Sequence, residues 1–334
     1  MTCGLRRAGI NVIKGIDVDP SVKQTYERNN HGSSFLQADI RKLESSEVMN
    51  GIRRRGNVLL FAACAPCQPF SVQFRKNKRL DLRRSLMICF GKIVAKIKPD
   101  YILVENVPGF KSDKNPYYKL FKKILKAAGY EVSEGIVNAK DFGIPQNRRR
   151  FFLIASLHGR VTLPEQTFGS KLRPHRTVRE AISKYPKLRA GQKHDSVPNH
   201  QARALSKKNL MRIKSVRKNG GSRLGFPRKL VLNCHKNHHG HTDVYGRMHW
   251  DAPSPTLTCK CTSITNGRFG HPEQDRAITV REAAALQTFP ENYVFYGNST
   301  DTTKHVGNAV PVLLAEVFGR KICDHDRELS SKQK

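Results

Sequence analysis

Apolar residues in the first half of the chain come in short unbroken runs separated by amphipathic stretches. Residues 11–16 and 34–37 read as short strands, the first running into Asp17-Val18-Asp19 and the second leading to Asp39. Residues 57–63 carry Val58, Leu59, Leu60 and Phe61 in succession, the pattern of a strand covered on both faces. Residues 101–104, 131–137 and 150–155 complete the strands. Between them, residues 21–29, 82–97 and 117–128 have helical spacing. Leu82, Leu86, Ile93 and Ile97 mark one helix, and Gly129 gives another its C-terminal stop. Strands joined by helices of this length predict an α/β fold with a doubly wound, mostly parallel sheet.

After about Pro164 the pattern changes. Prolines, glycines and basic residues become frequent, and periodicity fades until residues 279–286, which read as a helix. Residues 311–323 form an amphipathic helix after the turn "GNAVP", and the polar tail from Asp324 is expected to fray. No internal repeat is present. The 334 residues suffice for one large domain or two ordinary ones.

Charge narrows the function. Sixty Lys and Arg against 27 Asp and Glu leave a net +33, which implies an anionic polymer as partner, most simply nucleic acid. The excess is not even: residues 196–242 hold no acidic residue and eleven basic ones, from Arg203 to Lys236. With Gly220, Gly221 and Gly225 among them, this reads as a loop-rich surface against phosphates. No stretch approaches the roughly 20 apolar residues that span a bilayer. The first ten residues lack the apolar segment of a secretory signal. Eight irregularly spaced cysteines suit reduced thiols in a cytosol rather than a disulfide scaffold.

Three segments carry candidate chemistry. In "FAACAPCQPFS" (61–71) a strand ends in Cys67, held between Pro66 and Pro69 on a stiff turn at a strand's C-terminal end, where open α/β sheets bind ligands. The Cys64-x-x-Cys67 pair could be half a zinc site, with "CHKNHHGH" (234–241), Cys259 and Cys261 as partners, but no tidy ligand spacing supports it. A redox pair and a nucleophilic Cys67 are the other readings. "ILVENVPGF" (102–110) is again a buried strand ending in polar groups, Glu105 and Asn106. A carboxylate there is either a cap or, in the same crevice as Cys67, a proton donor. "DFGIPQNRRRFFLIA" (141–155) places Gln146, Arg148 and Arg150 at the start of a further strand, as a basic edge or as a grip on an anion or carbonyl.

"APCQPFS", "ENV" and "QNRRR", in this order and at strand ends, resemble the DNA cytosine-5 methyltransferases. The likeness continues through "DLRRSL" (81–86), "RAITVREAAALQTFP" (276–290) and "GNAVPV" (307–312), so it covers nearly the whole chain. It implies a Rossmann-like methyltransferase sheet with a second, smaller basic target-recognition domain. The implied divisions are residues 1–165 for catalysis and cofactor, 166–299 for target recognition, and 300–334 returning to the catalytic part.

The resemblance also implies roles. Cys67 would attack C6 of a flipped-out cytosine, Glu105 would protonate or hydrogen-bond N3, and Asn106 would support the site. Arg150 and Arg148 match arginines near the cytosine O2 and the catalytic loop. S-adenosylmethionine would be the methyl donor, and no metal is expected. Asp17 matches the acidic residue on the ribose hydroxyls, Asp39 and Ile40 an adenine-binding pair, Pro66 and Leu86 apolar adenine neighbours, and Asn308 and Val310 contacts near the methionine part. Arg203, Lys207, Lys208, Arg212 and Arg217 would face phosphates, and Thr256-Leu257 looks like the signature pair of the recognition region. The implied partner is double-stranded DNA, met by a monomer in a prokaryotic cytoplasm, with room for a cognate restriction endonuclease.

The family opens with a strand and a glycine-rich turn that wraps the donor's methionine portion, whereas "MTCGLRRAGI" reads as the middle of the following helix. An absent central strand predicts a gap between two neighbouring strands, with unpaired backbone and apolar surface, and weakened donor binding. His305 stands where the family often has Gln. The rival readings are a remnant that binds DNA without methylating it, an RNA-directed relative, and a zinc-binding structural protein.

Overall fold

The computed structural model describes residues 1–52, 54, 56–64, 85–112, 114–171, 173–236 and 240–332. The chain divides into two compact units: Met1–Asn138 with Arg149–Gln166 and Leu314–Lys334, and Ala139–Arg148 with Thr167–Leu313. Residues 139–148 and 300–313 thus cluster with residues 167–299 rather than with the segments expected to contain them.

In the first unit the chain runs α1 (Thr2–Arg7), β1 (Lys14–Asp17), α2 (Lys23–Asn29), β2 (Ser34–Gln37), α3 (Ser45–Met49) and β3 (Leu60–Cys64). It continues through α4 (Leu86–Ile97), β4 (Tyr101–Asn106), α5 (Pro116–Ala127), β5 (Glu131–Asn138) and β6 (Arg149–Ser156). β4 is buried at every position, both in its apolar run Tyr101–Val104 and at the polar Glu105 and Asn106 that end it. Ile102, Val104, Phe151 and Leu153 pack with Val94, Phe121 and Leu125 of the flanking helices. Each such side chain contributes about 1.5–3 kcal/mol by leaving water. Gly91 allows α4 this approach, because a Cβ there would stand 3.1 Å from the Phe121 ring.

The sheet is less parallel than the element pattern suggests. β3 and β4 are parallel, but β6 lies between β4 and β5 and runs antiparallel to both. The connection from β5 to β6 holds only residues 139–148, too short for the crossover helix that a parallel pair needs.

β1 and β2 form a separate parallel pair, and no strand pairing joins them to β3 among the described residues. Ser34 and Ala38 donate their N–H groups to the carbonyls of Ile13 and Asp17, so by alternation the backbone of Lys14 and Ile16 faces the other edge. Tyr101 N–H likewise binds Leu59 O, which turns the backbone of Leu60, Ala62 and Cys64 away from β4. Near these edges Val18 is 61% exposed and Val58 49%. Ile16, inside β1, is 38% exposed, a high value for an apolar strand residue.

The second unit is loop-rich, with α6 (Val178–Ile182), α7 (Lys207–Ser215), α8 (Val280–Leu286) and α9 (Ser299–Asn308). Its order rests on buried polar groups more than on sheets. Arg276 donates to both carboxylate oxygens of Glu282 (2.7 and 2.8 Å), and Glu282 also accepts the N–H of Thr279, whose hydroxyl caps α8 in return. That exchange is a capping box and accounts for three residues of "RAITVREAAALQTFP". Arg247, fully buried, donates to the carbonyls of Val216, His271, Gln274 and Ile213.

The last helix, α10 (Val312–Lys332), belongs to the first unit from Leu314 on. Phe318 stacks on Phe152 at 4.0 Å. The tail expected to fray is helical to Lys332 instead, because His325 Nδ1 lies 3.0 Å from the Tyr101 hydroxyl and its ring packs edge-on.

Candidate active site and nucleic-acid contacts

Because β3 and β4 are parallel, their C-terminal ends lie side by side, with Cys64 opposite Glu105. Cys67 and Pro66 lie outside the described residues; the chain enters their segment from Cys64, which is exposed. Glu105 is opposite Phe152 of β6, so Arg150, two residues earlier, is its diagonal neighbour on the same face. Arg150 Nε stands 3.0 Å from Glu105 Oε1, with both side chains largely buried. A charge pair removed from water in this way persists only if each partner remains. Asn106 is fully buried, and its Oδ1 accepts the N–H of Val107, shaping the turn where β4 ends. Leu86 opens α4 and is half-buried.

The expected donor-binding carboxylates sit at the ends of β1 and β2. Asp17 closes β1 opposite Gln37, is exposed, and accepts the N–H of Asp19 at 2.9 Å. One oxygen therefore shapes the turn while the carboxylate stays exposed. Asp39 is clasped by Arg41, whose Nε lies 2.9 Å from Oδ1, and this hydrogen bond holds its carboxyl down at about 2. Ile40 packs against the core of the first unit.

In the second unit, residues 145–147 run beside residues 254–256. Ser254 N–H binds Pro145 O at 2.9 Å, Asn147 N–H binds Ser254 O at 2.8 Å, and the Thr256 hydroxyl donates to Asn147 O at 2.7 Å. Arg148 is 2% exposed and donates to Leu257 O (2.8 Å), Gly307 O (3.3 Å) and Ala309 O (3.1 Å). It was expected near the cytosine O2 and the catalytic loop; here its guanidinium braces backbone. Leu257, expected at DNA, is 1% exposed, so Thr256 is the outward member of the pair. Asn308 ends α9 exposed, and Val310 is buried.

Of the expected phosphate contacts, Lys207, Lys208 and Arg217 are exposed. The two lysines occupy the first turn of α7, where the helix dipole disfavours cations, so their charge does not serve the helix. Arg203 is exposed and donates to Ser299. Arg212 requires correction: it is buried, donates to Leu230 O and Asn209 Oδ1, and lies over the Tyr245 ring. Among the described residues no three or more His, Cys, Asp or Glu are placed so as to hold a metal ion, and residues 237–239 lie outside them. Burial pushes the Cys261 thiol up to about 12, which leaves it an inert core group.

Sequence reasoning singles out Gln146 but passes over Gln287 and Gly307. Gln287 ends α8 and is fully buried, yet a glutamine at a helix end reads as an ordinary polar stop. Gly307 sits inside "GNAVPV", where only the packing reveals its need: a Cβ would lie 2.0 Å from Thr258 O.

The α/β sheet thus carries, at the C-terminal end of β4, a buried acid paired with an arginine from the start of the antiparallel β6. The chain belongs to the C-5 cytosine-specific DNA methylases, whose family model matches residues 1–324. It is thereby a DNA (cytosine-5)-methyltransferase. It is 38% identical over 330 residues to the Type II methylase M.HgiDII of Herpetosiphon aurantiacus, covering 96% of this chain and 91% of that one. It is 32% identical to the Type II methyltransferase M1.HphI of Haemophilus parahaemolyticus, covering 96% and 82%. In fold it matches a prophage-encoded E. coli protein assigned as a DNA modification methyltransferase, with TM-score 0.73, 21% identity, and coverage of 97% and 95%. The S. pombe Dnmt2 methyltransferase matches at TM-score 0.63 and 20% identity, covering 98% and 94%.

Proposed function

We propose that this protein is a Type II modification methyltransferase that moves a methyl group from S-adenosylmethionine to C5 of a cytosine flipped out of duplex DNA. The observation that carries the reading is the buried Glu105–Arg150 pair beside the strand end that leads to Cys67. C5 of cytosine is a poor nucleophile. Attack of the Cys67 thiolate on C6, with Glu105 giving a proton to N3, turns C5 into an enamine carbon. Arg150 holds the Glu105 carboxyl in place and offers its remaining N–H groups to the cytosine O2. Bound S-adenosylmethionine supplies an electrophilic methyl on a sulfonium. Once C5 carries the methyl, loss of its proton restores the C5–C6 double bond as the sulfur–C6 bond breaks. Asp17 suits the ribose hydroxyls, and Asp39, Ile40, Pro66 and Leu86 are proposed about the adenine. Asn308 and Val310 are assigned to the methionine part. Thr256, Lys207, Lys208, Arg203 and Arg217 would meet DNA, and a cognate restriction endonuclease would be the natural companion.

A second reading, DNA binding without methyl transfer, draws on the break between β1 and β3. The carboxylate-bearing ends and the catalytic ends belong to two sheets that no described backbone ladder holds in register. One assay separates the two. Unmethylated DNA is incubated with S-adenosylmethionine and the purified chain, and 5-methylcytosine is measured by mass spectrometry of digested nucleosides. The modified base is expected with the unaltered protein and absent with Cys67→Ser. None from folded protein that still binds DNA would establish the second reading.

A further inference from the structure

The buried side chains of Gln146 and Gln287 form a relay whose polarity is fixed at both ends. Leu257 N–H can only donate, so it meets Gln146 Oε1, at 3.0 Å. The Gln146 amide nitrogen then donates to Gln287 Oε1 at 3.2 Å, and the Gln287 amide nitrogen donates to the Val306 carbonyl, which can only accept. Arg148 spans the same two segments, from Leu257 O to Gly307 O and Ala309 O. Gly307 lets them touch backbone to backbone, against Thr258. A strand-like 145–147 segment, the 256–258 loop and the end of α9 are thus tied by groups that are almost wholly out of water. A buried network in which each link sets the direction of the next permits one arrangement and penalises others.

We infer that Gln146, Arg148 and Gln287 are positioning residues: a latch that fixes the loop bearing Thr256 to the turn bearing Asn308, so that DNA and methyl donor are sensed together. This rests on the reading that assigns Thr256 to DNA and Asn308 to the donor. Neither Gln146 nor Gln287 takes part in the chemistry, and Arg148 joins them rather than the cytosine. Because each link depends on the direction of the next, changing one amide to a carboxylate sets two acceptors against each other without altering size.

The test measures coupling. The affinity of the full chain for S-adenosylhomocysteine is determined by titration calorimetry with and without saturating unmethylated duplex DNA. The same is done for Gln287→Glu and Arg148→Lys, with thermal melting as the check on folding. In the unaltered protein DNA is expected to tighten the probe by about fivefold or more, within the usual range of coupling between sites. In the variants that factor falls to within about twofold of unity, while affinity for the probe alone changes less. The carboxyl introduced by Gln287→Glu can donate to Val306 O only when protonated. Coupling in that variant therefore returns as pH is lowered from 8 to 6, which a merely structural defect would not do. Should a variant fail to fold, hydrogen exchange on the unaltered chain decides: the probe is expected to slow exchange in residues 254–259 as well as 306–312. Protection confined to 306–312, or variants that keep full coupling, would overturn the latch alone. Failure of the unaltered protein to bind either probe would overturn the assignment beneath it.

Discussion

Glu105 and Arg150 show how much a single pair can decide. Removing either leaves a charge buried in a strand layer, which costs about 3–5 kcal/mol. Glu105→Gln is the milder cut, since it keeps size and an acceptor for Arg150 while deleting the acid. We expect it to slow 5-methylcytosine formation by about 100-fold or more, the scale of a positioned general acid, measured as initial rate in the nucleoside assay. A variant within about threefold of the unaltered rate would remove Glu105 from the chemistry. Gly307→Ala addresses packing instead. Its Cβ would meet the carbonyl of Thr258, so backbone must move, and a loss of about 1–3 kcal/mol is expected from denaturant unfolding.

Among the elements, the short strands are legible in the sequence because apolar runs and strand ends are local features. The direction of β6 is legible as well, because the short connection of residues 139–148 leaves no room for a crossover helix, but a reading by apolar runs alone passes over that spacing. No strand pairing joins β1–β2 to β3 among the described residues, and this has a measurable consequence. Amide exchange at Ile16 and Ala62, whose N–H groups face unpaired edges among the described residues, is expected to be at least about 100-fold faster than at Leu103 and Phe152 inside the sheet. Equal protection would mean that the edges are covered. α7 escapes a reading of the sequence altogether, because its lysine-rich first turn reads as loop. Changing its exposed Lys207 or Lys208 to Ala is expected to make the dependence of log affinity on log salt shallower, by about 0.9 for each phosphate no longer neutralised.

For the whole molecule, acid is the sensitive direction. Burial pushes His271 down to about 3, despite Glu282 nearby, and lowers His200 in the same way. His271 thus stays neutral in the folded chain far below the pH near 6.5 at which the unfolded chain takes up protons, and His200 protonates less readily folded than unfolded. Stability is therefore full above that value and falls as pH drops toward 3. Glu282 adds to this: burial would raise its carboxyl, but Arg276 outweighs burial and holds it at about 2, so its contribution is lost as pH falls below about 4.5. The melting temperature is expected to decline steadily from pH 6.5 to 4, and His271→Gln should flatten the upper part of that decline. No helix among the described residues is long and apolar enough to cross a membrane.

By itself the sequence determined the family and most of the strands, and it named the residues proposed for the chemistry. Cys67, Glu105, Arg150 and Asp17 sit in motifs whose meaning is carried by a few adjacent residues. Only the tertiary structure decided that Arg148 braces backbone, that Arg212 is core, and that Gln287 and Gly307 belong to the same assembly. The physical reason is distance along the chain. The carbonyls that hold Arg148 lie 109 and 161 residues away, and no periodicity or spacing near an arginine tells whether its guanidinium will meet a phosphate, a base or a distant turn.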